Sequence, residues 1–295
     1  MSGELVLGAV AYDPKVVTIW NGFRAWLREQ SLPFDYVLYS NYERQVEDLV
    51  AGRIGVAWNS PLAWVRARRL AQSEGVALSS VTMRDTDRGL TSVIVVRDDS
   101  PVQTAQDLGG RTVATGAIDS PQATLLPLAL LHAAGLRPGN AEDESHASAS
   151  NVQVRRFDVG VGLHGDHVGG ERQAAGALAA GEVDAACMLD ANLLLFAREG
   201  ILPAGRSRVI ATTPPYDHCT MTAGPAASPA LTARLGELLL GMSYSDTQLR
   251  PLLDLEGLKQ WLPPRLDGYS QLERAVDDSG FYTADGAMGA RDYRP

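Results

Sequence analysis

Thr91-Ser92-Val93-Ile94-Val95-Val96-Arg97-Asp98-Asp99-Ser100-Pro101 joins two opposite local tendencies. Its first half is a β-branched apolar run of the kind that fills a buried strand, and its second half collects turn formers that end regular structure. Before it, short β-rich runs alternate with amphipathic segments: Leu5–Val10, a helix near 18–30, Phe34–Tyr39, a helix near 42–51, a strand at 54–58, a helix near 61–72 and a strand at 76–83. That βαβαβ rhythm belongs to a mainly parallel sheet. After it the rhythm restarts, with a strand at 111–115, a helix after Ser120, a strand at 153–157, a helix near 171–180, a strand at 185–189 and an apolar run at 209–213. Pro214-Pro215 stops the second series. Helical patterns near 229–242, 246–253 and 269–279 are then left to cover the first sheet. The expected architecture is α/β in two lobes, residues 1–92 with 214–295 and residues 93–213, with crossings near 92 and 214 and a cleft between.

The 295 residues carry 45% hydrophobic and 21% charged side chains, enough apolar content for one large core or two modest ones. A net charge of −9, with lysine only at Lys15 and Lys259 and the arginines dispersed, argues against a nucleic-acid surface, which needs clustered cations. Met1-Ser2-Gly3-Glu4 leads straight into Leu5–Val10, without the basic segment and longer apolar run of a secretory signal, so a cytoplasmic location is expected. The apolar run 125–136 is broken by Pro127 and His132 and falls short of the roughly 20 residues a membrane helix needs, so membrane insertion is not expected. Cys187 and Cys219 are expected to stay free thiols.

Several residues sit where chemistry is expected. Ser120 suits an N-cap, Pro121 the first helical position and Gly135 the stop, so this helix should present free backbone N–H groups to an anion or polar group beside Ser120. Asn59 and Ser60, and Asp190, follow strands at the carboxyl ends where clefts of open α/β sheets form. The glycine-rich stretch 159–171 holds His164 and His167 at a spacing compatible with a shared metal, and Tyr216-Asp217-His218-Cys219 adds an imidazole and a thiol. Such donors suit zinc or iron(II). His132 is expected to be structural, and His146 to face solvent in the polar stretch 138–150, which is read as a mobile loop.

Four ordered stretches carry a resemblance. They are residues 51–57 with Asn59-Ser60-Pro61, residues 91–100 with Asp107-Leu108-Gly109-Gly110-Arg111, residues 120–127, and residues 180–186. Together they resemble the phosphonate and phosphite substrate-binding proteins of ABC importers, which have the type 2 periplasmic-binding-protein fold. The tail, Glu256-Gly257-Leu258 and Tyr269-Ser270-Gln271-Leu272, is similar to theirs as well. The resemblance implies closure of two lobes on a small polar molecule, with a transporter as partner and no cofactor needed for binding. It implies a cleft lined by Tyr12, Asn59, Ser60, Thr91, Ser92, Ser120, Gln122, Glu171 and Asp190. The chain departs from that pattern in two places. Ser120-Pro121-Gln122 stands where the family has a Ser-Thr-Ser-like trio, and Glu171 stands where it tends to place a histidine. A carboxylate there repels a bare phosphonate, so the expected ligand is a zwitterion or carries a cationic or donor group, or a metal bridges Glu171 to His164 or His167. The alternative is an enzyme on the same scaffold, resembling cytoplasmic proteins that make menaquinone or thiamine precursors. Glu171 or His164 would then be the acid/base, Cys219 a nucleophile or ligand, and the partner biosynthetic.

Overall fold

A computed structural model of the chain describes residues 3–140 and 150–295. His146 and most of the polar stretch around it lie outside the described residues. Along the chain the strands are β1 (Leu5–Val10), β2 (Phe34–Tyr39), β3 (Val56–Asn59), β4 (Ser79–Arg84), β5 (Ser92–Arg97), β6 (Thr112–Thr115), β7 (Arg137–Asn140), β8 (Asn151–Arg156), β9 (Ala185–Leu189), β10 (Ser207–Thr212), β11 (Thr220–Ala223) and β12 (Trp261–Leu262). The helices are α1 (Lys15–Glu29), α2 (Tyr42–Val50), α3 (Pro61–Glu74), α4 (Leu126–Ala133), α5 (Gly169–Ala179), α6 (Asp190–Arg198), α7 (Pro229–Leu240), α8 (Arg250–Glu256) and α9 (Ser270–Ser279).

The strands form two six-stranded sheets among the described residues, ordered β12-β4-β11-β3-β1-β2 and β10-β5-β9-β6-β8-β7. β1 runs parallel to β2 and β3, while β11 returns antiparallel between β3 and β4. In the second sheet β6 is parallel to β8 and β9, and β5 is antiparallel to β9 and β10. The chain passes between the sheets twice at neighbouring points. Leu90 and Tyr216 exchange both backbone hydrogen bonds, each 2.8 Å, where the two passages lie side by side.

Each lobe builds its own core. In α1 the apolar positions Val16, Ile19, Trp20, Phe23 and Leu27 recur at three- and four-residue intervals and are buried against Leu5, Leu7, Phe34 and Val56 of the first sheet. Each such side chain contributes roughly 1.5–3 kcal/mol by leaving water. Trp58 and Trp261 meet edge to face at 5.6 Å in the same core. The second lobe packs Val95, Ala114, Ala174, Leu178, Met188 and Phe196 on one side of its sheet. A third apolar cluster joins the lobes: α9 and the tail bring Leu272, Val276, Phe281, Tyr282 and Tyr293 against Leu62 and Val65 of α3 and Leu125 and Leu126 of the second lobe.

Two helices start on the capping devices legible in the sequence. Ser60 Oγ accepts from the Ala63 N–H at 3.1 Å, Pro61 takes the first helical position, and Gly75 ends α3 in the left-handed region. Ser120 Oγ accepts from the Ala123 N–H at 3.2 Å. A wide π-type turn over Pro121–Leu125 then runs into α4, and Gly135 stops it at φ +85°.

Candidate functional site

The carboxyl ends of the parallel strands bring Tyr12, Ser60, Ser120 and Asp190 to the seam between the lobes. A backbone bond crosses it, from Tyr42 N–H to the Gly162 carbonyl at 3.1 Å, while Asp190 N–H bonds the Thr91 carbonyl at 3.0 Å and so extends the β5–β9 pairing to the edge of the seam. The glycine-rich segment after β8 enters this seam from the second lobe. Gly162 and Gly165 have φ of +90° and +79°, which L side chains avoid, and a Cβ on Gly165 would collide with Gln122 Nε2 and Ser120 Oγ. The backbone therefore passes close over the Ser120 cap, where Gln122 Nε2 donates to the Gly165 carbonyl at 2.8 Å.

At the tip of the segment His164 is fully buried against the first lobe. Its ring stacks on Tyr42 with centroids 4.7 Å apart, Nδ1 lies 2.7 Å from Ser60 Oγ, and Nε2 lies 2.9 Å from Glu43 Oε1. Tyr282 and Tyr293 hydroxyls donate to the same Glu43 oxygen at 2.8 and 2.6 Å. Burial pushes the Glu43 carboxyl up, but His164 and the two hydroxyls outweigh it and hold the group at about 2. Because Glu43 is a carboxylate, His164 Nε2 donates to it, and the Ser60 hydroxyl meets Nδ1 on the other side of the ring. Asp119 Oδ2 fixes the segment from below by accepting from Gly162 N–H at 2.6 Å and His164 N–H at 3.1 Å.

Hydroxyl, imidazole and carboxylate stand here in the order that hydrolases use. Pro61, which follows Ser60, has no N–H to serve as an oxyanion donor, and both Ser60 and His164 are fully buried. The triad thus ties the segment of one lobe to the wall of the other. It does not present a nucleophile.

Glu171 lies beside the Ser120 turn. Its Oε2 accepts from Leu189 N–H at 3.0 Å and Asn192 Nδ2 at 2.7 Å, and burial raises its carboxyl above the ordinary range despite these bonds. Four buried oxygens in this region have no hydrogen-bond partner among the described residues: Glu171 Oε1, Gln122 Oε1, Asp119 Oδ1 and Glu43 Oε2. All four accept.

A second polar cluster occupies the wall formed after β4 and before β11. Arg84 holds Asp87 through two bonds of 2.6 and 2.9 Å and reaches Glu256 Oε1 at 3.3 Å. Burial raises Asp87, but Arg84 overcomes it and keeps the carboxyl at about 2, whereas burial prevails at Glu256 and pushes it up to about 7. His218 Nδ1 is 3.1 Å from Cys219 Sγ and 3.5 Å from Asp87 Oδ1. Tyr42 donates to Asp166, whose carboxyl burial also raises, and the electrostatic field of Asp166 reaches His218 and Cys219.

The residues singled out from the sequence are therefore distributed as follows. Ser60, Ser120 and Gln122 lie against the glycine-rich segment, and Glu171, at its end, sits beside the Ser120 turn. Tyr12 is half-buried with the Lys15 ammonium 5.8 Å from its ring. Asn59 is committed to the first sheet, bonded to Gln45 and Thr222. Ser92 pairs with the Tyr216 hydroxyl at 3.1 Å, Thr91 is half-buried, and Asp190 is exposed in the first turn of α6. His164 and His167 do not meet at a metal position: His164 is taken by Ser60 and Glu43, and His167 is exposed and folds back on its own segment, accepting from Gly169 N–H at 3.2 Å. His218 and Cys219 do come together, with Asp87, which carried no motif. Glu43, Asp119, Asp166 and the two tail tyrosines were equally silent in the sequence, because each gains its partner from a distant stretch.

A scan of protein families matches residues 9–269 to the family described as ABC transporter, phosphonate, periplasmic substrate-binding protein. The chain belongs to that family. It is a solute-binding protein with the two-lobed, type 2 periplasmic-binding-protein-like fold. Among solved structures, PhnD1 from Prochlorococcus marinus in complex with methylphosphonate superposes with a TM-score of 0.66 at 17% identity, covering 94% of this chain and 98% of that one. A Xanthomonas citri protein bound to chloride ion gives 0.71 at 20% identity over 94% and 98%. The aliphatic sulphonate binding protein SsuA from Escherichia coli gives 0.57 at 17% over 95% and 94%. No curated protein matches.

Proposed function

We propose that this family member closes about the crossings near residues 92 and 214 on a small polar solute that presents a cationic or hydrogen-bond-donating group, and passes it to an ABC transporter. One observation carries the reading. Glu171, Gln122, Asp119 and Glu43 each keep a buried, unpartnered acceptor near the seam, and an unpaired buried acceptor costs about 1–3 kcal/mol. A ligand bringing donors recovers that cost, whereas a bare oxyanion adds repulsion. A zwitterion satisfies both this acceptor set and the N–H groups at the Ser120 turn. Capture by closure needs no cofactor for binding itself.

Calorimetric titration tests the reading. A phosphonate bearing a primary ammonium should bind at least about tenfold more tightly than methylphosphonate, matching a charged hydrogen bond of roughly 1.5–3 kcal/mol. Its affinity should rise with pH as the raised Glu171 carboxyl ionises, and Glu171→Gln should remove the advantage. Equal binding of the two ligands, tightening as pH falls, would mean that neutral carboxyls donate to an oxyanion instead. A solute bound for import is captured outside the cytoplasm, so cell fractionation separates this role from the cytoplasmic location expected above.

A further inference from the structure

We infer that Asp87, His218 and Cys219 form a binding site for a divalent metal ion of borderline softness, such as zinc, in the wall of the first lobe. The three donors are chemically unlike, and Asp87 lies more than a hundred residues from the adjacent His218 and Cys219, yet their ligating atoms all lie within 4.8 Å of one another and all three residues are buried. Tetrahedral zinc takes nitrogen, oxygen and sulfur at roughly 2.0–2.3 Å, which sets neighbouring ligand atoms about 3.3–3.8 Å apart. The observed 3.1 Å from His218 Nδ1 to Cys219 Sγ and 3.5 Å to Asp87 Oδ1 approach that spacing.

The backbone under these donors is locked. His218 N–H donates to the Asp87 carbonyl at 2.7 Å, and the Tyr269 hydroxyl donates to the His218 carbonyl at 3.0 Å. Arg84 grips the Asp87 carboxylate, and each carboxylate oxygen keeps a lone pair beyond the one Arg84 uses. Such an outer partner orients a ligating carboxylate. A separate observation is the charge of the surroundings. Arg84 is shared between Asp87 and Glu256, and the half-buried Asp166, which accepts from the Tyr42 hydroxyl, adds a third carboxyl to the surroundings. Three carboxyl groups thus stand around one guanidinium beside the donors, a setting that suits a cation. A divalent cation bound here would take Cys219 as a thiolate, with release of its proton.

Titration of the intact, metal-stripped protein with cobalt(II) and zinc(II) tests the site. Cobalt should bind at one equivalent with a thiolate-to-cobalt charge-transfer band in the near ultraviolet, and zinc should displace it. Cys219→Ser should remove the band, His218→Gln should weaken cobalt binding by more than about tenfold, and Cys187→Ser, in the other lobe, should change neither. Absence of the band in the wild-type protein, or a band that survives Cys219→Ser or disappears in Cys187→Ser, would overturn the assignment. Because the wild-type spectrum decides by itself, a variant that fails to fold leaves the test intact.

Discussion

Glu43 shows how one side chain can be expensive alone and stabilising in company. Its carboxylate is 3% exposed, yet three donors converge on one oxygen, and the group is held at about 2 instead of its ordinary value near 4.5. A lowered folded-state value means stability that is present above the ordinary carboxylate range and lost as pH falls through about 2. At about 1.4 kcal/mol per unit, the linkage amounts to about 3 kcal/mol. Glu43→Gln should therefore lower unfolding free energy by a few kcal/mol at neutral pH, and the gap should narrow steadily as the solution is acidified. Urea unfolding at a series of pH values reads this directly; a gap independent of pH would show that Glu43 acts by shape and not by charge.

At the scale of elements, the Ser120 turn does two things at once. It caps the helix, and it lies against Gly165 of the inserted segment. Ser120→Ala should cost about 1 kcal/mol of stability through the lost cap and should also weaken solute binding by several-fold. A stability loss with unchanged calorimetric affinity would leave Ser120 a cap and nothing more. The sequence made this element legible because Ser-Pro and a later Gly act locally. It also marked β1, β2 and β9 to the residue: β1 and β9 are buried almost throughout, and the half-exposed β2 is a β-prone run bounded by turn formers. It did not reveal β11, whose Thr220-Met221-Thr222-Ala223 is too short for a periodic signal and becomes a strand only because β3 and β4 leave a gap between them. Nor did it reveal α6, which begins directly at the end of β9 without a capping side chain. The same limit hid most of the candidate site: Ser60 and Glu171 stood out by position, but the partners of His164 come from α2 and the tail.

Over the whole molecule, the lobes are joined by unlike materials. α9 and the tail supply an apolar joint, whereas the glycine-rich segment supplies a polar latch through His164. His164→Ala should release the latch and spare the joint. Amide hydrogen exchange should then accelerate across residues 159–168 while α9 stays protected, and unchanged exchange in that segment would dismiss the latch. The topology has a further result during synthesis. Every strand of the second sheet lies between Ser92 and Thr212 in one unbroken stretch, so that lobe can be completed while translation is still under way. The first sheet must wait, holding β3 and β4 apart until Thr220–Ala223 leaves the ribosome to close between them. The half-built first lobe is thus the interval in which a nascent chain exposes unpaired strand edges, and it is where chaperone contact during translation should concentrate.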